Sequence, residues 1–250
     1  MTVPIIVKNL SKTFREHNVL HNISFDVVPG ESLVVIGGSG SGKSVLIRCV
    51  LGLTLPDRGS IIKLNGLNVS NIPISSRKGD GIGVLFQSNA LFDSLRVWEN
   101  VAFVALQNKV MDSSEAKKMA IEKLSMVELN SNTANLYPSE ISGGMQKRVA
   151  LARTIANNPK LLFFDEPTTG LDPITSKKIS DLIKSICAQL KATSVTITHD
   201  VTCMQTVGSK VLAISNGTVA WHGDLSEMHR AKHPYIREFF QYSSPHIMDE

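Results

Sequence analysis

Ser32-Leu-Val-Val-Ile36 runs directly into Gly37-Gly-Ser-Gly-Ser-Gly-Lys43-Ser44 and then into Val45-Leu-Ile-Arg-Cys-Val-Leu51. An apolar run followed by glycines and a helical pattern reads as a buried parallel strand entering a βα unit. The glycine stretch satisfies G-x-x-x-x-G-K-[ST] in the strand-loop-helix context that this pattern requires. Glycines let successive backbone N–H groups curl around phosphate oxygens, and the helix start adds a favourable dipole. Gly37, Gly38, Ser39, Gly40, Ser41, Gly42 and Val45 are therefore the candidate lining of a phosphate site. Lys43 would neutralise the β and γ phosphates, and the Ser44 hydroxyl would ligate Mg²⁺.

A nucleotide hydrolase also needs carboxylates to hold the metal and orient water. Leu161-Leu-Phe-Phe-Asp165-Glu166 offers a buried strand ending in two acids. That is the C-terminal edge of a parallel sheet, where α/β ligand sites gather. Asp165 is the candidate Mg²⁺ residue, and Glu166 the candidate for polarising the attacking water. Further strand patterns fall at Ile5 to Val7, Ile23 to Val27, Gly59 to Leu64, Ile82 to Phe86, Ser194 to Thr198 and Lys210 to Ser215. The last pairs with Thr218 to His222 across Asn216-Gly217, a two-residue hairpin signal. Ala116, Ala120, Leu124 and Val127 mark a helix over Ser113 to Val127. No strong strand pattern occurs from about Asn89 to Tyr137, so the α/β alternation is interrupted there by a helical insertion.

Composition narrows the class. With 26 Lys+Arg against 22 Asp+Glu in 250 residues, the net charge is only +4, and no polybasic tract appears. Nucleic acid is not an expected partner. Cys49, Cys187 and Cys203 are widely spaced and odd in number, which excludes a disulfide framework or a paired-cysteine zinc site and fits a reducing compartment. The opening residues lack a secretory leader pattern, and no apolar run is long enough to span a bilayer. The tail from Pro234 begins like a helical turn, carries Tyr235, Phe239 and Phe240, which are expected to pack back onto the body, and fades into polar residues from Gln241.

Ile141-Ser-Gly-Gly-Met-Gln146 decides the subclass. Ser142 with the Gly143 and Gly144 amides, opening a helix that runs through Arg148, Leu151 and Ile155, makes a second anion-binding helix end. Together with the glycine loop and the Asp165-Glu166 pair, it resembles the ATP-binding cassette family, whose signature is Leu-Ser-Gly-Gly-Gln. Here Ile141 keeps the apolar first position, while Met145 removes the final amide. The other family positions follow in order, from roughly residue 4 to 225. Phe14 matches the aromatic that stacks on adenine, and Gln87 the glutamine that senses Mg²⁺ and water. Thr169-Gly-Leu-Asp172 matches the loop that crosses the dimer interface, and His199 the histidine on the γ-phosphate.

The resemblance implies an ABC nucleotide-binding domain over residues 1–250: a P-loop RecA-like core with an antiparallel β subdomain, a helical subdomain at about 89–150 and a helical tail at about 224–250. It implies ATP and Mg²⁺, with Glu166, His199, Gln87 and Lys43 catalytic, and Ser44, Gln87 and Asp165 around the metal. Phe14, the loop from Gly37 to Val45, and Ser142, Gly143, Gly144 and Asp172 would hold the nucleotide. Cassettes of this family dimerise head to tail, so a second copy completes each ATP site and a membrane permease receives the stroke. The permease would dock near Ser88 to Phe103, where Phe92 and Trp98 either face the partner or complete the helical core. The stretch Phe86 to Phe103, with Asp172-Pro-Ile-Thr175, is similar to bacterial phospholipid-trafficking ATPases of the Mla type. Such ATPases work at the cytoplasmic face of the inner membrane, with a permease and a periplasmic lipid-binding subunit. An importer ATPase for polar amino acids or similar solutes is the alternative within transport, and a non-transport cassette ATPase is the alternative outside it.

Overall fold

The computed structural model describes residues 4–70, 72 and 81–243. The opening three residues and the polar end of the tail, 244–250, lie outside this range, as do the corresponding ends of the 1–250 domain reading. The chain forms two compact units. One is built from the described residues up to 72 and from Thr193 onward, and the other from Gly81 to Ala192.

The first unit is organised around β3 (Ser32–Gly37), whose Leu33, Val34, Val35 and Ile36 are fully buried. It is apolar on both faces because both of its edges are paired in parallel. One partner is β8 (Thr193–Ile197) and the other is β9 (Lys210–Ser215). β10 (Thr218–Asp224) pairs antiparallel with β9 across Asn216-Gly217, both in the left-handed region as the hairpin signal requires. A second, antiparallel sheet runs in the order β2-β1-β4-β5. Its strands are β1 (Ile5–Phe14), β2 (His17–Val27), β4 (Ile61–Leu64) and β5 (Leu67–Asn68). Arg15 and Glu16 make the tight turn between β1 and β2, and His17 and Asn18 pair with Phe14 and Thr13, so both strands extend further than their apolar cores. α1 (Lys43–Leu51), α6 (Val201–Val207) and α7 (Pro234–Ser243) complete the unit. Ile236 and Phe240 anchor α7, and the Tyr235 and Phe239 rings lie 6.3 Å apart on it.

The second unit pairs β6 (Ile82–Leu85) in parallel with β7 (Leu161–Asp165). Between them lie α2 (Val97–Gln107), α3 (Ser113–Met126) and α4 (Gly143–Thr154), with short tight helical turns at Ser131–Asn135 and Pro138–Glu140. Asp112 caps α3 by accepting from Ser114 and Glu115 N–H, and Glu115 returns a bond to the Asp112 N–H. α5 (Pro173–Leu190) follows β7, with proline in its first turn and Lys191 ending it in the left-handed region. Gly83 in β6 sits where no side chain fits. A Cβ there would collide with the Thr154 carbonyl and lie 2.9 Å from Leu162 and from Pro159.

Cys49, Cys187 and Cys203 are all buried thiols. Burial pushes the Cys49 thiol up to about 11, so it is neither exposed nor ionised near neutrality. A thiol-reactive dye at pH 8 is expected to label none of the three while the protein is folded and all three after denaturation. Rapid labelling of the folded protein would contradict this packing.

Candidate functional site

The first unit presents the glycine loop. β3 ends at Gly37, and α1 opens at Lys43 with Gly42 as its N-cap, at φ 103°. No side chain caps this helix and no acidic residue sits in its first turn, so the helix start remains suited to an anion. At Gly37 the constraint is contact rather than torsion. A Cβ there would run into the Ser41 hydroxyl and stand 2.6 Å from the Ile214 carbonyl. Lys43 folds back over the loop, its ammonium donating to the Gly37 carbonyl at 2.7 Å and the Gly38 carbonyl at 2.9 Å. Among the described residues, Ser41 Oγ is buried without a hydrogen-bond partner. An orphaned hydroxyl, uncapped amides and an ammonium held at one bend form the donor set that phosphate groups require. Gly38, Ser39, Gly40 and Ser44 are exposed, while Val45 is half-buried.

Two more of the candidate residues lie in this unit. Phe14 ends β1 and is 44% exposed, which excludes the core reading and leaves a ring face open for stacking. Lys12 holds its ammonium 5.0 Å from that ring. His199 follows β8. Val35 pairs with Ile197, so two residues further on His199 comes level with Gly37 at the same edge of the sheet. It is exposed there.

The second unit gathers the remaining candidates at two places. Leu85 pairs with Phe164, which brings Gln87 level with Glu166 and beside Asp165 at the C-terminal ends of β6 and β7. Glu166 adopts φ 51°, uncommon for a side chain of its size. Its carboxylate accepts the Thr169 hydroxyl at 3.0 Å, a contact the sequence did not signal. At the second place, Ser142 caps α4 by accepting from the Met145 N–H, leaving Gly143 exposed and Gly144 half-buried at the helix start. A Cβ on Gly144 would lie 3.2 Å from Thr175 Cγ2, so this helix end abuts the start of α5. Asp172 caps α5, accepting from the Ile174 and Thr175 N–H groups at 3.0 Å each. Hydrogen bonds from Thr175, side chain first and then backbone, hold the Asp172 carboxyl below its ordinary range.

Two cations of α4 were not distinguished in the sequence. Lys147 donates to the Gln87 carbonyl, and Arg153 to the carbonyls of Asn89 and Ala90. Burial lowers the pKa of both. No sequence signal sets them apart, because Gln146, Arg148 and Thr154 make the same helix polar at other positions too. In the segment from Ser88 to Phe103 the aromatics divide: Trp98 is buried in the helical unit and Phe92 is exposed, stacked 4.5 Å from Phe103. Fully buried Asn100 shapes that segment, accepting the Phe92 N–H and donating to the carbonyls of Phe92, Leu95 and Arg96.

The sequence profile of the ABC transporter family matches residues 20–169. The chain belongs to this family. Among relatives, the cassette is 38% identical to the glutamine transport ATP-binding protein GlnQ of Escherichia coli, over 95% of its own length and 98% of that protein. It is 35% identical to the probable ribonucleotide transport ATP-binding protein mkl of Mycobacterium leprae, over 96% and 69% of the two chains. It is 34% identical to TRIGALACTOSYLDIACYLGLYCEROL 3 of Arabidopsis thaliana, a chloroplast protein, over 95% and 73%. A solved dimer of the cassette MJ0796, in a post-hydrolysis state with ADP and phosphate, superposes with a TM-score of 0.79 at 31% identity, covering 88% of this chain and 98% of that one. The fold expected from the resemblance is therefore the observed one, and ATP hydrolysis coupled to transport is the activity of the family. Among the described residues no helix is long and apolar enough to cross a membrane.

The glycine loop yields a paired test. Gly37→Ala is expected to lower folding stability by about 1–3 kcal/mol through overpacking. Gly38→Ala, with nothing within 4 Å of the added carbon, should stay within about 0.5 kcal/mol of the parent. Urea denaturation midpoints measure both, and equal midpoints would refute the contact argument.

Proposed function

We propose that this cassette is the ATP-hydrolysing subunit of a multi-subunit transporter that moves phospholipid, working as a homodimer on a membrane permease. The observation that carries the ATPase mechanism is the donor set at Gly37 to Ser44, with the Lys43 ammonium already folded across the loop. On this reading the loop amides and Lys43 bind the phosphates of ATP and Phe14 stacks on the adenine. Ser44, Gln87 and Asp165 would hold Mg²⁺, which would supply charge neutralisation for the phosphate oxygens. Glu166 would accept the proton of the attacking water as its oxygen bonds to the γ-phosphorus, while the bond from that phosphorus to the β–γ bridging oxygen breaks with its electron pair leaving on ADP, and His199 would donate to the departing γ-phosphate. Ser142, Gly143 and Gly144 of one copy cover the phosphates held by the other, with Asp172 near the crossing. ATP then favours the closed pair through added contacts, and loss of the γ-phosphate removes that bias.

The lipid class of the substrate is supported by the stretch from Phe86 to Phe103 and by the relative whose name carries a galactolipid, and the phospholipid headgroup by that stretch alone. The permease would dock on the segment held by Asn100, with exposed Phe92 at the contact, at the cytoplasmic face of a bacterial inner membrane. A periplasmic lipid-binding subunit would join through the permease. A second reading, import of a polar amino acid, is favoured by the identity to GlnQ over nearly the whole of both chains. Nucleic acid has no place in either.

Glu166→Gln is expected to bind ATP and to elute as a dimer in size-exclusion chromatography with ATP present; a variant that binds ATP yet stays monomeric overturns the sandwich. Lys43→Ala should weaken nucleotide binding roughly thirty-fold or more, because a desolvated charge pair is lost. Purification of the cassette from solubilised membranes separates the substrates. Recovery of a permease with a phospholipid-loaded subunit supports the first reading, and recovery with a subunit binding a polar amino acid supports the second. Ribosomes or DNA would defeat both.

A further inference from the structure

Lys147 stands 3% exposed on α4, and its ammonium donates to the Gln87 carbonyl at 3.1 Å. Among the described residues no carboxylate forms an ion pair with it. A buried ammonium facing a single neutral oxygen is costly, and burial accordingly lowers its pKa. An apolar chain of the same length would fill the slot without that cost. The visible return for the charge is the hold on Gln87.

Among the described residues, that hold comes where no strand or helix ladder supports the backbone. β6 leaves its ladder after Leu85, and the next anchor is Arg153, which grips the Asn89 and Ala90 carbonyls at 2.8 Å each. Thr154, one heptad from Lys147 and so on the same helix face, shares its one hydroxyl proton between the Ala150 carbonyl at 2.9 Å and the Val84 carbonyl at 3.2 Å. α4 therefore grips the chain before, at and after Gln87, and Lys147 makes the middle contact. The same helix begins at Ser142, where the other copy's nucleotide is proposed to bind.

We propose that Lys147 is a positioning residue that fixes the Gln87 backbone to α4, so that the Gln87 side chain is set for hydrolysis by the position of the helix whose N-terminus meets the second nucleotide. This rests on the reading of Gln87 as the residue that senses Mg²⁺ and water. Lys147 touches no reacting atom. It turns a segment that would sample several backbone conformations into one carried by α4.

The test is steady-state ATP turnover by the purified full chain, with Lys147→Met, Gln87→Ala and the double variant. Lys147→Met keeps the apolar stem, so its melting temperature should equal or exceed the parent's. Its kcat is expected to fall about tenfold, the value of one hydrogen bond from a charged donor, with KM for ATP unchanged within about twofold. Gln87→Ala should fall at least as far, and the double variant no further than Gln87→Ala alone. Lys147→Gln serves as a second variant should the methionine protein not fold, and the same cycle is expected from it. Parental kcat in the Lys147 variant, or losses that multiply in the double variant, overturns the inference and leaves the Gln87 reading standing. Parental kcat in Gln87→Ala alone overturns the Gln87 reading and the inference with it.

Discussion

β3 is hydrogen-bonded in parallel along both edges and buried on both faces, and the first unit depends on that confinement. With no freedom to shift sideways, the strand delivers Gly37 to one fixed place beside the Ile214 carbonyl, where even one additional carbon has no room. The bend that follows, the start of α1 and the inward fold of Lys43 all inherit their positions from it. A site that must present several amides to one anion needs this precision, since hydrogen bonds weaken steeply once donors drift off line. The hydrophobic burial of four residues thus sets the geometry of a polar site.

Features carried by local chemistry were legible in the sequence. The run from Ser32 to Leu51 names its own strand, loop and helix, and α3 matches its apolar spacing to within one residue at its end. Asn216-Gly217 forms the hairpin it signals. β1 and β2 were only partly visible, because their outer ends are polar and exposed and are held by pairing with each other. α5 falls outside the helices that the sequence patterns predict, although Asp172 and Pro173 spell its start. At the site, residue types in order identified the family, whereas the support around them was hidden. Thr169 bonding to Glu166, Asn100 wiring the Phe92 segment, and Lys147 and Arg153 holding carbonyls all join residues whose partners sequence spacing does not reveal. The division between exposed Phe92 and buried Trp98 likewise depends on packing rather than composition.

The second unit assigns its polar residues to backbone more than to each other. Asn100, Lys147, Arg153 and Thr154 all bond main-chain carbonyls, most of them in segments that no strand or helix ladder supports. Such bonds depend little on the identity of the residues they hold, so they keep a loop's course while its side chains are left to make outside contacts. That suits a segment proposed to meet a different protein on its far side.

The cap on α5 has a consequence for behaviour in acid. Asp172 accepts three hydrogen bonds' worth of stabilisation from Thr175 and Ile174, and its carboxyl is held below the ordinary aspartate value in the folded chain. A carboxyl shifted downward on folding adds stability at any pH above its unfolded value, and loses that contribution only as pH falls through the lower, folded value. The beginning of this long helix therefore stays charged and anchored at acidities where an unassisted aspartate would already be taking up a proton.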